Sequence, residues 1–137
     1  MSVDVDSNRQ TIEAVVDGYL DSFNASSVDD LVRLFTPDGI VMADEMPSVS
    51  GRDQIRETFA GAFSAMRFSF EHAVDDVIVE GNIAVVRAHA AGTATVLAAN
   101  TTIPMPDHRE LFVLRRANAE WRISEYMFNT TVSKGRS

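Results

Sequence analysis

Arg109-Glu110-Leu111-Phe112-Val113-Leu114-Arg115-Arg116, Ala117-Asn118-Ala119 and Trp121-Arg122-Ile123-Ser124 decide the fold. The outer runs are rich in branched and aromatic residues, and the middle has the character of a tight turn, so together they read as a β-hairpin. Moving back along the chain, Phe68 to Val79 and Ile83 to Leu97 have the same β-prone make-up, joined at Glu80-Gly81-Asn82. With the last run extended to Phe128, these segments form four long antiparallel strands. The stretch from Ala98 to Asp107, with Pro104 and Pro106, reads as a wide connection.

The first half has helical spacing instead. Ile12, Val15, Val16, Tyr19, Leu20 and Phe23 recur on one helical face, with Ser7 and Gln10 as a capping box. A short second helix carries Val28, Leu31, Val32 and Phe35, capped by Ser27 and Asp30. Thr36-Pro37-Asp38-Gly39 reads as a turn and Ile40 to Asp44 as a short strand. Ser50 and Asp53 can cap a third helix with Ile55, Phe59, Ala62, Phe63 and Met66 on its buried face. Helices first and strands afterward predict an α+β fold: three helices from the N-terminal half packed on a strongly curved, mostly antiparallel sheet, a cone-shaped roll enclosing a pocket. One domain is expected over residues 1–137, with a core of about 8–130 and short flexible ends.

Composition narrows the function. Hydrophobic residues are 45% and charged residues 23%, as in packed soluble domains, and a net charge of −8 disfavours nucleic-acid binding. No apolar run is long enough to span a membrane, and the acidic start lacks the features of a signal peptide, so a cytoplasmic location is expected. There is no cysteine, the three histidines lack metal-ligand spacing, and no nucleotide fingerprint occurs, so neither metal nor cofactor is expected.

The order of elements, together with Tyr19-Leu20-Asp21-Ser22-Phe23-Asn24, Leu31 to Gly39, Pro47 to Ile55 and the 109–124 hairpin, resembles the nuclear transport factor 2-like superfamily, also called SnoaL-like or cystatin-like. Arg109 to Leu114 and Tyr126-Met127-Phe128-Asn129 look most like its SgcJ/EcaC-type branch, whose members are associated with bacterial natural-product biosynthesis. The superfamily holds isomerases, dehydratases, cyclases and hydrolases as well as binding and oligomerisation domains, so the fold alone selects no chemistry.

Several residues are candidates for the pocket. The resemblance to the ketosteroid isomerase branch places a catalytic tyrosine at Tyr19, whose alternative is a core tyrosine. The same match puts that branch's aspartate on Ala43, so Asp44 is either a rim residue or, if a bulge restores the register, the general base. Glu110 falls within one residue of a protonated acid in those enzymes. It is either a carboxyl of raised pKa or the partner of Arg87 or Arg109 in an ion pair. Arg87 and His89 share a strand face with Val85, opposite the small Ala84, Val86, Ala88 and Ala90, which suit a covered face, so Arg87 and His89 either line the cavity or face water; the resemblance favours the cavity. His72 is expected to be partly exposed and His108 to sit on the rim. Phe23, Met42, Phe59, Phe63, Phe112, Tyr126 and Phe128 are the expected binding wall.

These features predict cofactor-independent acid–base chemistry on an apolar polyketide-like or enediyne-type intermediate: isomerisation, cyclisation, dehydration or hydrolysis. Tyr19 and Glu110 would donate, Asp44 or His89 would act as base, and Arg87 would orient the guest. The rival reading is a carrier with the same pocket and no proton transfer. Both faces of the last strands are partly apolar, which predicts a homodimer.

Overall fold

A computed structural model describes residues 2–131. The expected loose end beyond residue 130 lies almost wholly outside them. The elements are α1 (Ser2–Asn24), α2 (Val28–Arg33), β1 (Phe35–Met42), β2 (Val49–Ser50), α3 (Arg52–Ala65), β3 (Met66–Glu80), β4 (Ile83–Val96), β5 (Thr101–Ala117) and β6 (Glu120–Thr130). Three helices pack on one six-stranded sheet of order β2-β1-β6-β5-β4-β3. Every neighbouring pair is antiparallel except β1 and β6, which run parallel. The sheet is open, with β2 and β3 at its edges.

Both expected hairpin turns form. Gly81 has φ 59°, and Asn118 and Ala119 have φ 54° and 65°, the left-handed backbone that two-residue hairpins require. Ile12, Val16 and Tyr19 of α1 pack into the core with Phe35, Val86, Phe112, Leu114 and Ile123.

Several local details differ from the sequence reading. Helix α1 is already under way at Ser7, so Ser7 and Gln10 are not at its start; Thr11 Oγ1 instead donates to the Ser7 carbonyl. Ser27 does flank α2, but its hydroxyl bonds Asp30 Oδ2 rather than a backbone amide. Gly51, at φ 86°, is the N-cap of α3, while Gln54 Oε1 accepts from the Ser50 amide. Thr36 to Gly39 lie inside β1, where the register against β6 shifts between Phe35 and Ile40. The proline segment is also strand. From Thr101, β5 pairs with β4, whereas β6 joins it only from His108 onward. Pro104 and Pro106 therefore lie where β5 has a single neighbour, and a missing amide is tolerated there.

Bulges set which side chains turn inward. Between Ala90 and Gly92 of β4, β5 advances from His108 to Met105, one residue more than its neighbour. On β6, Ser124 is the extra residue between Ile123 and Glu125, so Ile123 and Tyr126 are both buried. Among the described residues, no helix is long and apolar enough to cross a membrane.

Candidate functional site

Between α1, α3 and the inner face of the sheet lies a cavity of about 410 Å³, within the range of small-molecule sites. Leu20 and Phe23 come from α1, Phe59 and Ala62 from α3, Val41 from β1, Phe68 and Phe70 from β3, and Phe128 from β6. The aromatic walls interlock: Phe23 stacks on Phe68 at 4.4 Å and meets Phe63 edge-on at 5.6 Å. Such contacts add rigidity beyond the area they bury.

Tyr19, His108, Glu110 and Tyr126 are the ionisable residues of this wall. Glu110 is nearly sealed from solvent, with its side chain 2% exposed. Tyr126 donates its hydroxyl to Glu110 Oε2 at 2.6 Å. His108 Nε2 stands 3.8 Å from the same oxygen, and His72 Nδ1 stands 3.6 Å from Oε1. Burial pushes the Glu110 carboxyl pKa upward, but His108, His72 and Tyr126 outweigh it and bring the value down to about 2. At neutral pH Glu110 is therefore a carboxylate. Burial above all, with the Glu110 charge, raises the Tyr19 pKa against the opposing Tyr126 hydroxyl. Tyr126 is raised by burial and by its Tyr19 and Glu110 neighbours. Both phenols stay protonated and can donate.

Strand register explains how these groups meet. His72, Ala90 and His108 are partners in one row across β3, β4 and β5, and Glu110 pairs with Ala88 in the next. Alanines on the middle strand leave room for the imidazoles and the carboxylate to approach over it.

Of the expected site residues, Tyr19, Glu110, Phe23, Phe59, Tyr126 and Phe128 line the cavity together. The others do not. Arg87 and His89 lie on the opposite sheet face, paired with Asp76 at 3.6 Å and Asp75 at 2.9 Å, because Val86, Ala88 and Ala90 of their strand take the buried face. Asp44 follows β1 in a turn and does not reach the wall. Met42 pairs with the exposed Met127, while Val41 beside it pairs with the buried Tyr126 and faces inward. Phe112 is wholly buried beneath Tyr19 and Tyr126, and Phe63 packs behind Phe23 and Phe68. Glu110 is no acid of raised pKa, and its partners are His72, His108 and Tyr126 rather than Arg87 or Arg109. His72, expected to be partly exposed, has a side chain only 6% exposed, and His108 lines the cavity. The signal for His72 lay in its alternation with Phe68 and Phe70. Among the described residues, no group of three or more His, Asp or Glu side chains has an arrangement that could hold a metal.

Helices that floor a curved open sheet, with a cavity between them, define the cystatin-like, nuclear transport factor 2-like class of proteins. Within it the chain belongs to the SnoaL-like domain family, whose model matches residues 16–126. No curated protein matches the chain. It is similar to the structure of a ketosteroid isomerase-like protein from Erwinia carotovora atroseptica, with 26% identity and a TM-score of 0.84 over 90% of this chain and 96% of that one. A provisionally named dehydratase of the nuclear transport factor 2-like family from Streptomyces avermitilis has 15% identity and a TM-score of 0.79, over 93% and 99% of the two chains. A protein of the same class with a cystatin-like fold from Novosphingobium aromaticivorans has 18% identity and a TM-score of 0.77, over 98% and 89%.

Proposed function

We propose that this protein binds a flat, largely apolar intermediate of polyketide or enediyne type in its cavity and moves protons on it without a cofactor. The observation that carries this reading is the set of ionisable groups, a carboxylate, an imidazole and two phenols, gathered in a predominantly apolar wall. His108 is the group that takes a proton from a carbon acid. Glu110, ionised beside it, stabilises the imidazolium that results. Tyr19, held protonated, donates to the oxygen on which negative charge grows. Proton removal next to a carbonyl and return at another atom is an isomerisation; with loss of hydroxide it is a dehydration. The likeness to a ketosteroid isomerase-like protein supports this chemistry, and the SgcJ/EcaC-like stretches at 109–114 and 126–129 support a natural-product setting.

The protein acts as a homodimer in the cytoplasm under this proposal. Its support is three exposed apolar side chains on the outer sheet face, Ile78, Ile83 and Met127.

A carrier is the second reading, favoured by one fact: Glu110 Oε2 is already engaged by Tyr126. Incubating the protein with 1-tetralone and a three-ring homologue in heavy water separates the two. The enzyme reading expects binding and faster deuteration next to the carbonyl, with His108→Gln abolishing deuteration but not binding. Binding without deuteration selects the carrier. If neither ketone binds, the pocket reading is overturned.

A further inference from the structure

His72 touches the carboxylate at the heart of the site without lining the cavity. Its Nε2 lies 2.9 Å from Asp17 Oδ1 on α1, and that carboxylate is 61% exposed. Its Nδ1 faces Glu110 Oε1 at 3.6 Å, beyond hydrogen-bond distance, and neither of these two buried atoms has a hydrogen-bond partner. The imidazole thus stands between a carboxylate in water and a carboxylate sealed at the cavity. His72 is faced by Asp17 from α1, by Glu110 from β5 and, across Ala90 of β4, by His108.

We propose that His72 is a positioning residue that passes protons between solvent at Asp17 and Glu110, behind the bound guest. The inference rests on the proton-transfer reading of the cavity. A guest filling an aromatic pocket excludes water from the mouth, so a second route for protons has a use. In the outward step the His108 imidazolium gives its proton to Glu110, the carboxyl turns to bring that proton to Oε1, Oε1 passes it to Nδ1, and His72 releases its Nε2 proton to Asp17 and on to water. This leaves the Nδ1–H tautomer. In the inward step a proton from water arrives at Nε2 by way of Asp17, the Nδ1 proton passes to Glu110 and from there to His108 and the guest, and the Nε2–H tautomer is restored. A reaction that removes one proton and delivers one uses each step once, and the cluster ends as it began.

The geometry also fits a simple clamp that ties α1 to β3, so the test needs a readout a clamp does not move. Asp17→Asn keeps an oxygen to accept from Nε2 but loses the capacity to take a proton. The full chain, labelled with 15N-histidine and free of guest, is followed by NMR between pH 5 and 8. Expected are a doubly protonated His72 ring at the acid end of this range and exchange of its ring protons with water that slows several-fold in Asp17→Asn. His72→Gln is expected to raise the pH at which Glu110 protonates. A ring that is neutral throughout, or unchanged exchange in a folded Asp17→Asn protein, overturns the proposal. If His72→Gln does not fold, the ring charge and the Asp17→Asn exchange rate decide. Because no guest is present, failure here leaves the ketone experiment standing, and failure there leaves these rates interpretable.

Discussion

Tyr126 of β6 donates to Glu110 of β5 across 2.6 Å, between two residues that are not register partners: Glu110 pairs with Phe128, and Tyr126 pairs with Phe112. The bond runs diagonally over the inner sheet face and is the shortest contact Glu110 makes among those described. Tyr126→Phe removes the donor and leaves a buried carboxylate short of one partner. It is expected to cost about 2 kcal/mol, the scale of a hydrogen bond to a charged group, measured by urea unfolding. The carboxyl should also protonate at higher pH, read from its 13C shift.

Stability should depend on pH through the same cluster. The Glu110 pKa falls on folding from 4.5 to about 2, so its contribution is present above the unfolded value and is lost as pH drops from 4.5 toward 2. His72 is raised from 6.5, first by Glu110, against burial, and then by Asp17; its contribution is full below 6.5 and fades as pH climbs through the raised value. Unfolding free energy measured across pH should therefore peak between these limits. Glu110→Gln should flatten the acid side by up to about 3 kcal/mol. An acid limb unchanged in that variant would remove Glu110 from the cluster.

Asn24 gives a prediction about the sheet edge. Its amide nitrogen donates to the Phe70 carbonyl at 2.9 Å and its carbonyl oxygen accepts from the Phe70 amide at 2.9 Å, standing in for a missing neighbouring strand. Asn24→Ala should cost about 2 kcal/mol for the pair of bonds. Amide exchange at Phe70 should quicken by more than at Val86 on an interior strand, and equal changes at both would count against the clamp.

Gly92 sits opposite Phe70, where a Cβ would come within 2.6 Å of the Phe70 Cα and against the Ser69 carbonyl oxygen. Both are backbone atoms of a paired strand, so there is no side chain to swing aside. Gly92→Ala should lower stability by roughly 3 kcal/mol or more, seen as a large drop in Tm.

Arg87→Ala and His89→Ala should leave ketone binding and deuteration unchanged. The Arg87–Asp76 ion pair and the His89–Asp75 contact lie across the sheet from the cavity. A loss of deuteration in His89→Ala with binding intact would mean that the imidazole reaches the site after all.

Alternation made the two faces of β4 legible, since Arg87 and His89 separate cleanly from Val86, Ala88 and Ala90. It did not say which face the helices cover. Small residues belong inside here because three rows of larger side chains on β3, β5 and β6 converge over them. Elsewhere insertions within strands defeated the reading. The extra residue between Met105 and His108, and the register shift in β1, each change which neighbour turns inward, and they leave little mark in composition. Helix faces and hairpin turns depend on local chemistry and were readable. The Glu110 cluster depends on approach across three strands and was not.

The parallel contact of β1 with β6 has a consequence for biogenesis. Strand β6, which follows all the others in sequence among the described residues, occupies an interior place, between β1 and β5. Until β6 is made, β1 has no strand neighbour in the meander of β3, β4 and β5, and the two parts meet mainly where α1 and α3 pack on β3. Nascent chains therefore wait with two unfinished borders, and a premature stop anywhere before Trp121 leaves both halves permanently unsealed.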